Sequence, residues 1–109
     1  MSHPTVFAPG SAIITRYLYE RQLGVAGTYK ITSGGNRVRA WTPPRSIVRK
    51  MREFVTARDR GVCQLCGNPA KYPELDHILP YRDGGLYIEW NLQLACVSCN
   101  MRKGARRDA

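Results

Sequence analysis

The sequence predicts a small α+β domain held together by something more than its core, and three observations carry that expectation. A chain of 109 residues makes one domain, and its apolar core alone would leave it marginally stable. Its texture is mixed, with helical spacings and short alternating runs first, then segments broken by Cys, Gly, Pro and Asn. Four cysteines stand as two close pairs, CQLC (Cys63, Cys66) and CVSC (Cys96, Cys99), with residues 67–95 between them. Hydrophobic residues at 43% and aromatics at 9% are ordinary for a chain that folds.

The elements follow in order. Residues 1–10 contain two prolines and a glycine and read as a loose arm, in which His3 has no role. Ser11 can cap a helix from Ala12 to Leu23, ended by Gly24, with Ile14, Tyr17 and Leu18 on one face. The run IITRYLY is also β-branched and aromatic enough for a strand. TYKIT and RVRAW (28–32 and 37–41) flank SGGN, the pattern of a β-hairpin. Pro43-Pro44 breaks the chain. Ser46 then suits the N-cap of a helix reaching Arg58, with Ile47, Met51, Phe54 and Val55 on its packing face and Arg45, Arg49, Lys50, Arg52 and Arg58 elsewhere. AKYPELDHILP should be extended, GGLYIEWNLQLAC a turn followed by strand-like chain, and Val97 to about Gly104 a short helix with a frayed tail, ARRDA. Residues 1–44 are thereby set apart from a main domain, 45–109.

Seventeen Lys and Arg against eight Asp and Glu give a formal charge of +9. A polyanion is the expected partner. Nucleic acid precedes membrane, because no basic amphipathic anchor and no bilayer-length apolar run accompanies the charge. The N-terminus lacks the basic-then-apolar order of a secretory signal, so a cytoplasmic protein with reduced thiols is expected.

Two residues between paired cysteines let one knuckle turn aim both sulfurs at one ion, and two knuckles complete a tetrahedral thiolate site for zinc. Gly67 suits such a turn. Four sulfurs leave no coordination position open, so this zinc is structural, and its stabilisation, on the order of 10 kcal/mol in small modules, is the missing staple. The rival readings are a redox CxxC, weakened by the second pair and the absence of a βαβ pattern, and two disulfides, weakened by the reducing compartment expected.

Inside the loop that the cysteines close lies LDHILPYRDGG, where Asp76 and His77 are adjacent. Neighbouring strand side chains point to opposite faces, so the two can serve two partners along one strand edge. Together with CQLCG, NLQLACVSCN and MRKG, this stretch resembles the HNH endonuclease family, whose ββα-metal (His-Me finger) motif is here surrounded by a four-cysteine zinc site. The resemblance runs from about Val48 to Gly104; residues up to about Pro44 match nothing in the family.

The resemblance implies that His77 is the general base acting on water and that Asp76 is a ligand of a catalytic divalent ion. It implies that Asn91 fixes the loop and orients the base, and that Asn100 is the second metal ligand, which makes the chain an HNN variant. Oxygen from Asp76 and Asn100 suits Mg²⁺, or Mn²⁺, better than a softer ion. Hydrolysis of DNA phosphodiester bonds to 5′-phosphate and 3′-hydroxyl ends follows, with double-stranded DNA as substrate. Arg82, Arg102, Lys103, Arg106 and Arg107 are expected on phosphates. Trp41, Trp90 and the tyrosines are assigned to packing. A homodimer, or a partner such as a phage packaging enzyme, is compatible with the family, in a bacterial or phage-infected cell. The alternative from another class is a catalytically inactive, zinc-dependent nucleic-acid-binding module.

Overall fold

The computed structural model describes residues 11–108, with side chains from residue 12 to residue 104. The expected arm 1–10 and the side chains of Arg106 and Arg107 lie outside the described residues. Seven principal elements follow one another: α1 (Ser11–Gln22), β1 (Tyr29–Ile31), β2 (Arg37–Arg39), α2 (Arg45–Arg58), β3 (Glu74–His77), β4 (Leu92–Ala95) and α3 (Val97–Asp108), with 3-10 turns at Tyr81–Asp83 and Glu89–Asn91. Two two-stranded antiparallel sheets, β1–β2 and β3–β4, make this a small α+β fold, and β3, β4 and α3 form its ββα unit. No helix among the described residues is long and apolar enough to cross a membrane.

Several boundaries differ from expectation. Ser11 is the first residue of α1, not its cap, and the helix stops at Gln22, one residue before Leu23. Ser46 does not cap α2. Pro44 does, with φ −60° and ψ 152°, and its carbonyl accepts the Ile47 and Val48 amides, each at 3.0 Å, so the helix has begun before Ser46. The last helix reaches Asp108, four residues past Gly104. IITRYLY is helical, not extended.

The core gathers Leu18 of α1, Met51 and Val55 of α2, and Leu92 and Leu94 of β4, all at 2% exposure or less. Hence α1, far from the cysteines in sequence, packs on the strand that leads into the second cysteine pair. Buried Gln22 makes this docking directional: its Nε2 donates to the carbonyls of Leu18 and Tyr87, and its Oε1 accepts the Tyr87 amide at 2.7 Å. Arg58, expected on the basic face of α2, turns inward and donates to the carbonyls of Glu89 (2.8 Å) and Leu92 (2.6 Å). Those carbonyls sit where a 3-10 turn passes into β4, the Glu89 carbonyl also accepting the Leu92 amide, and a guanidinium fork spans the two.

Candidate active site

The four cysteines converge. Their sulfurs all lie within 4.8 Å of one another, with Cys66 Sγ and Cys96 Sγ 4.0 Å apart. A tetrahedron with Zn–S bonds of about 2.3 Å has edges of about 3.8 Å, so the cluster fits a zinc ion. Gly67, at φ +80°, closes the first knuckle, its amide donating to the Cys63 carbonyl. Amides of Cys66 and Cys96 point at Cys63 Sγ, the Lys71 amide at Cys96 Sγ, and the Arg102 guanidinium at Cys99 Sγ (3.2 Å). Burial pushes the Cys63 thiol up, yet the amides of Cys96, Cys66 and Leu65 outweigh it and bring it down to about 6. Burial and the sulfurs of Cys66 and Cys63 push Cys99 up to about 12. Four thiolates side by side therefore require a cation, and these four residues fit structural zinc.

Against one side of the β3–β4 ribbon lies a cavity of about 290 Å³ lined by Asp76, His77, Arg82, Asn100 and Lys103, among others. Asp76 and His77 both line it, paired with Gln93 and Leu92 at the end of a short ribbon. Asp76 is nearly buried, and its Oδ2 accepts from Gln93 Nε2 (2.9 Å) and Lys103 Nζ (2.7 Å). Lys103 also donates to the His77 carbonyl at 2.7 Å, so α3 and β3 are tied at the site. Asn100, one turn earlier on α3, donates from Nδ2 to Glu74 Oε1 at 2.8 Å.

His77 is packed between two rings, Tyr81 at 6.5 Å and Tyr87 at 5.9 Å between centroids. Its Nε2 is buried without a hydrogen-bond partner among the described residues. Burial, with Arg39 adding its positive charge and Lys103 a smaller share, brings the ring down from 6.5 to about 4 against the opposing pull of Asp76. The imidazole is thus neutral across the physiological range, the state in which it can accept a proton.

Asn91 touches the site through the backbone. Its Oδ1 accepts the Leu79 amide, its Nδ2 donates to the carbonyls of Leu79 and Leu86, and its own carbonyl accepts the Ile78 amide. It pins the chain leaving His77 to the chain entering β4. The turn between them needs glycine at two places. Gly84 has φ +92°, and a Cβ on Gly85 would run into the Leu79 carbonyl.

The expected residues divide accordingly. Asp76, His77, Asn100, Arg82 and Lys103 share one cavity, Asn91 braces its wall, and Arg102 faces the sulfurs. Sequence reasoning missed Gln93 and Glu74, which hold Asp76 and Asn100, and it missed Tyr29 and Arg39, which line the cavity from β1 and β2. The strand register could have pointed to Gln93, directly across from Asp76.

Asp76 and Asn100 both line the cavity, and a carboxylate and a side-chain amide are the oxygen-bearing groups that a hard divalent ion takes. The Lys103 ammonium shares the same carboxylate, so such an ion and this lysine compete for Asp76.

Comparison with curated proteins and with solved structures returned no match. The family model for HNH endonuclease matches residues 63–106, which begin at the first cysteine pair and run through β3, β4 and most of α3. Matched sequence, ββα topology and a four-cysteine centre coincide on the same residues, so this part of the chain is similar to HNH endonuclease domains, a nuclease type that acts on nucleic acid.

Proposed function

We propose that the protein is a divalent-metal-dependent endonuclease that hydrolyses phosphodiester bonds in double-stranded DNA. The observation that supports it most is a neutral, desolvated His77 on the same cavity as Asp76 and Asn100, within a segment of HNH sequence. In this reading His77 accepts a proton from water. The hydroxide oxygen bonds to phosphorus as the P–O3′ bond breaks, leaving a 5′-phosphate, and the departing 3′ oxygen takes a proton from solvent. Mg²⁺ or Mn²⁺ held by Asp76 and Asn100 would supply charge neutralisation at the phosphate and the leaving oxygen. Asn91 keeps the His77 carbonyl end of the strand in place, while Arg82 and Lys103 offer positive charge to the phosphate. One site per chain cuts one strand, so double-strand breaks need a second copy or a partner protein. The reduced thiolates suit a cytoplasmic setting.

One observation favours a second reading. The Lys103–Asp76 ion pair satisfies the carboxylate without any divalent ion, as expected of a zinc-stapled module that binds nucleic acid and does not cut it. Incubation with supercoiled plasmid separates the two. Nicking or linearisation with Mg²⁺, none with chelator, and a loss of about 10²- to 10⁴-fold in His77→Ala support the enzyme. Binding without cleavage in the unaltered protein establishes the module. Mapping the cut positions reports strand number and sequence preference in the same experiment.

A further inference from the structure

The β1–β2 hairpin lies outside the matched HNH segment, yet it reaches the His77 cavity. On one hairpin face, Tyr29 pairs with Arg39 and Ile31 with Arg37. The Arg37 guanidinium lies 3.9 Å from the centroid of the Tyr29 ring, and that of Arg39 lies 4.4 Å from the centroid of Tyr81. Tyr29 and Tyr81 meet edge to face at 5.3 Å, so two tyrosines and two guanidiniums form one continuous ladder. The ladder is fixed in place. Tyr81 Oη donates to the carbonyls of Thr28 (2.7 Å) and Val25 (3.3 Å), and Gly27 packs against Gly84 so closely that a Cβ would stand 3.0 Å from its amide nitrogen.

Both arginines are exposed, and neither has an acidic partner among the described residues. The sequence from residue 21 to residue 52 contains Arg21, Lys30, Arg37, Arg39, Arg45, Arg49, Lys50 and Arg52, and no Asp or Glu. A guanidinium stacked on a ring loses little further freedom on binding and keeps its N–H edge for a phosphate. The same stacking covers a face of each tyrosine, which argues against base stacking and for contact with the sugar-phosphate backbone.

We propose that the hairpin is a clamp for the backbone of duplex DNA, in which Arg37 and Arg39 each hold a phosphate of a strand crossing the His77 cavity. This rests on the reading that DNA is the substrate, and it assigns to the segment before the HNH domain the task of aligning that strand.

Binding of a duplex oligonucleotide is measured from 50 to 200 mM salt without divalent ion, in the His77→Ala protein so that the DNA stays whole. If each arginine neutralises one phosphate, R37A/R39A lowers the slope of log K against log salt by about 1.8, so the variant loses about 12-fold less affinity across that range than its parent. R37K/R39K restores the slope, because a phosphate needs only the charge. Should the alanine pair fail to fold, R37Q/R39Q, which keeps a polar stem beside the rings, is read in its place. An unchanged slope in the folded neutral variants overturns the clamp, and so does a lysine pair that binds like the alanine pair. Plasmid cleavage by the unaltered protein is scored separately. A hairpin-dependent slope without cleavage removes the nuclease reading and leaves the clamp, whereas cleavage with a hairpin-independent slope removes the clamp alone.

Discussion

The four-cysteine centre and the Asp76–His77 cavity lie at the two ends of the same ββα unit and solve opposite problems. At the first, four backbone and side-chain donors aim at sulfur, Gly67 closes the turn, and no coordination position is left over. At the second, the Lys103 ammonium and the Gln93 amide share one carboxylate oxygen of Asp76, and a buried ring nitrogen has no partner among the described residues. Satisfied polar groups specify a fold, while unsatisfied ones, held in place by their neighbours, are available for chemistry. The contrast teaches where the domain is rigid by necessity and where it is poised.

Removing a zinc ligand should break the comparison most severely. Cys63→Ser, or a chelator strong enough to strip zinc, is expected to cost on the order of 10 kcal/mol and unfold the domain, seen as loss of the far-UV helical signal. Addition of Mg²⁺ should not restore it. A folded, zinc-free protein would instead favour the redox reading of the CxxC pairs.

Lys103→Ala tests the poised end. It leaves the nearly buried Asp76 with Gln93 alone, and an uncompensated charge there should cost about 3 kcal/mol. Millimolar Mg²⁺ should recover much of the lost melting temperature in the variant and little in the parent, because the ion replaces the ammonium. Melting curves that ignore Mg²⁺ in both proteins would count against Asp76 as a metal ligand.

The smallest effect concerns pH. His77 is inactive as a base when protonated, and its folded value of about 4 lies below the ordinary 6.5. The acid limb of kcat/KM should therefore fall well below pH 6.5, leaving activity level between about pH 6 and 7 as far as this group is concerned. Stability follows the same sign. The unfolded chain takes up this proton near 6.5 and the folded chain only near 4, so His77 costs stability progressively as pH falls between those values. Arg39→Ala should move the acid limb upward, since one of the charges opposing protonation is gone. A limb at 6.5 in the unaltered protein would show that the ring is solvated.

Much of the poised end was legible because its residues come from one compact stretch. Asp76, His77, Asn91 and Asn100 lie within 25 positions of one another, and the spacing of the cysteines carries a geometric meaning of its own. Arg39 was not legible in this way. It precedes His77 by a helix and two loops, and what brings it there is the Tyr81 hydroxyl bonding to two backbone carbonyls, which no side chain at the other end announces. The fate of Arg58 was hidden for the same reason, since carbonyls accept without leaving a mark in the sequence. The hairpin before Pro44 was readable from its alternation, whereas the helix before it shared its residues with a possible strand; that Leu18 would share a core with Leu92 and Leu94 was not readable, because apolar periodicity tells a face and never its partner.

The shared core and the Gln22 latch bear on portability. A fragment beginning at Pro44 would retain every residue of the HNH motif and all four sulfurs, but it would bare the apolar side of β4 and free the loop that carries Tyr81 and Tyr87. Such a fragment should be sticky and loosely aligned even with its zinc in place. Grafting this ββα unit into another protein therefore means carrying the preceding helix and hairpin with it, or rebuilding their contacts on the new host.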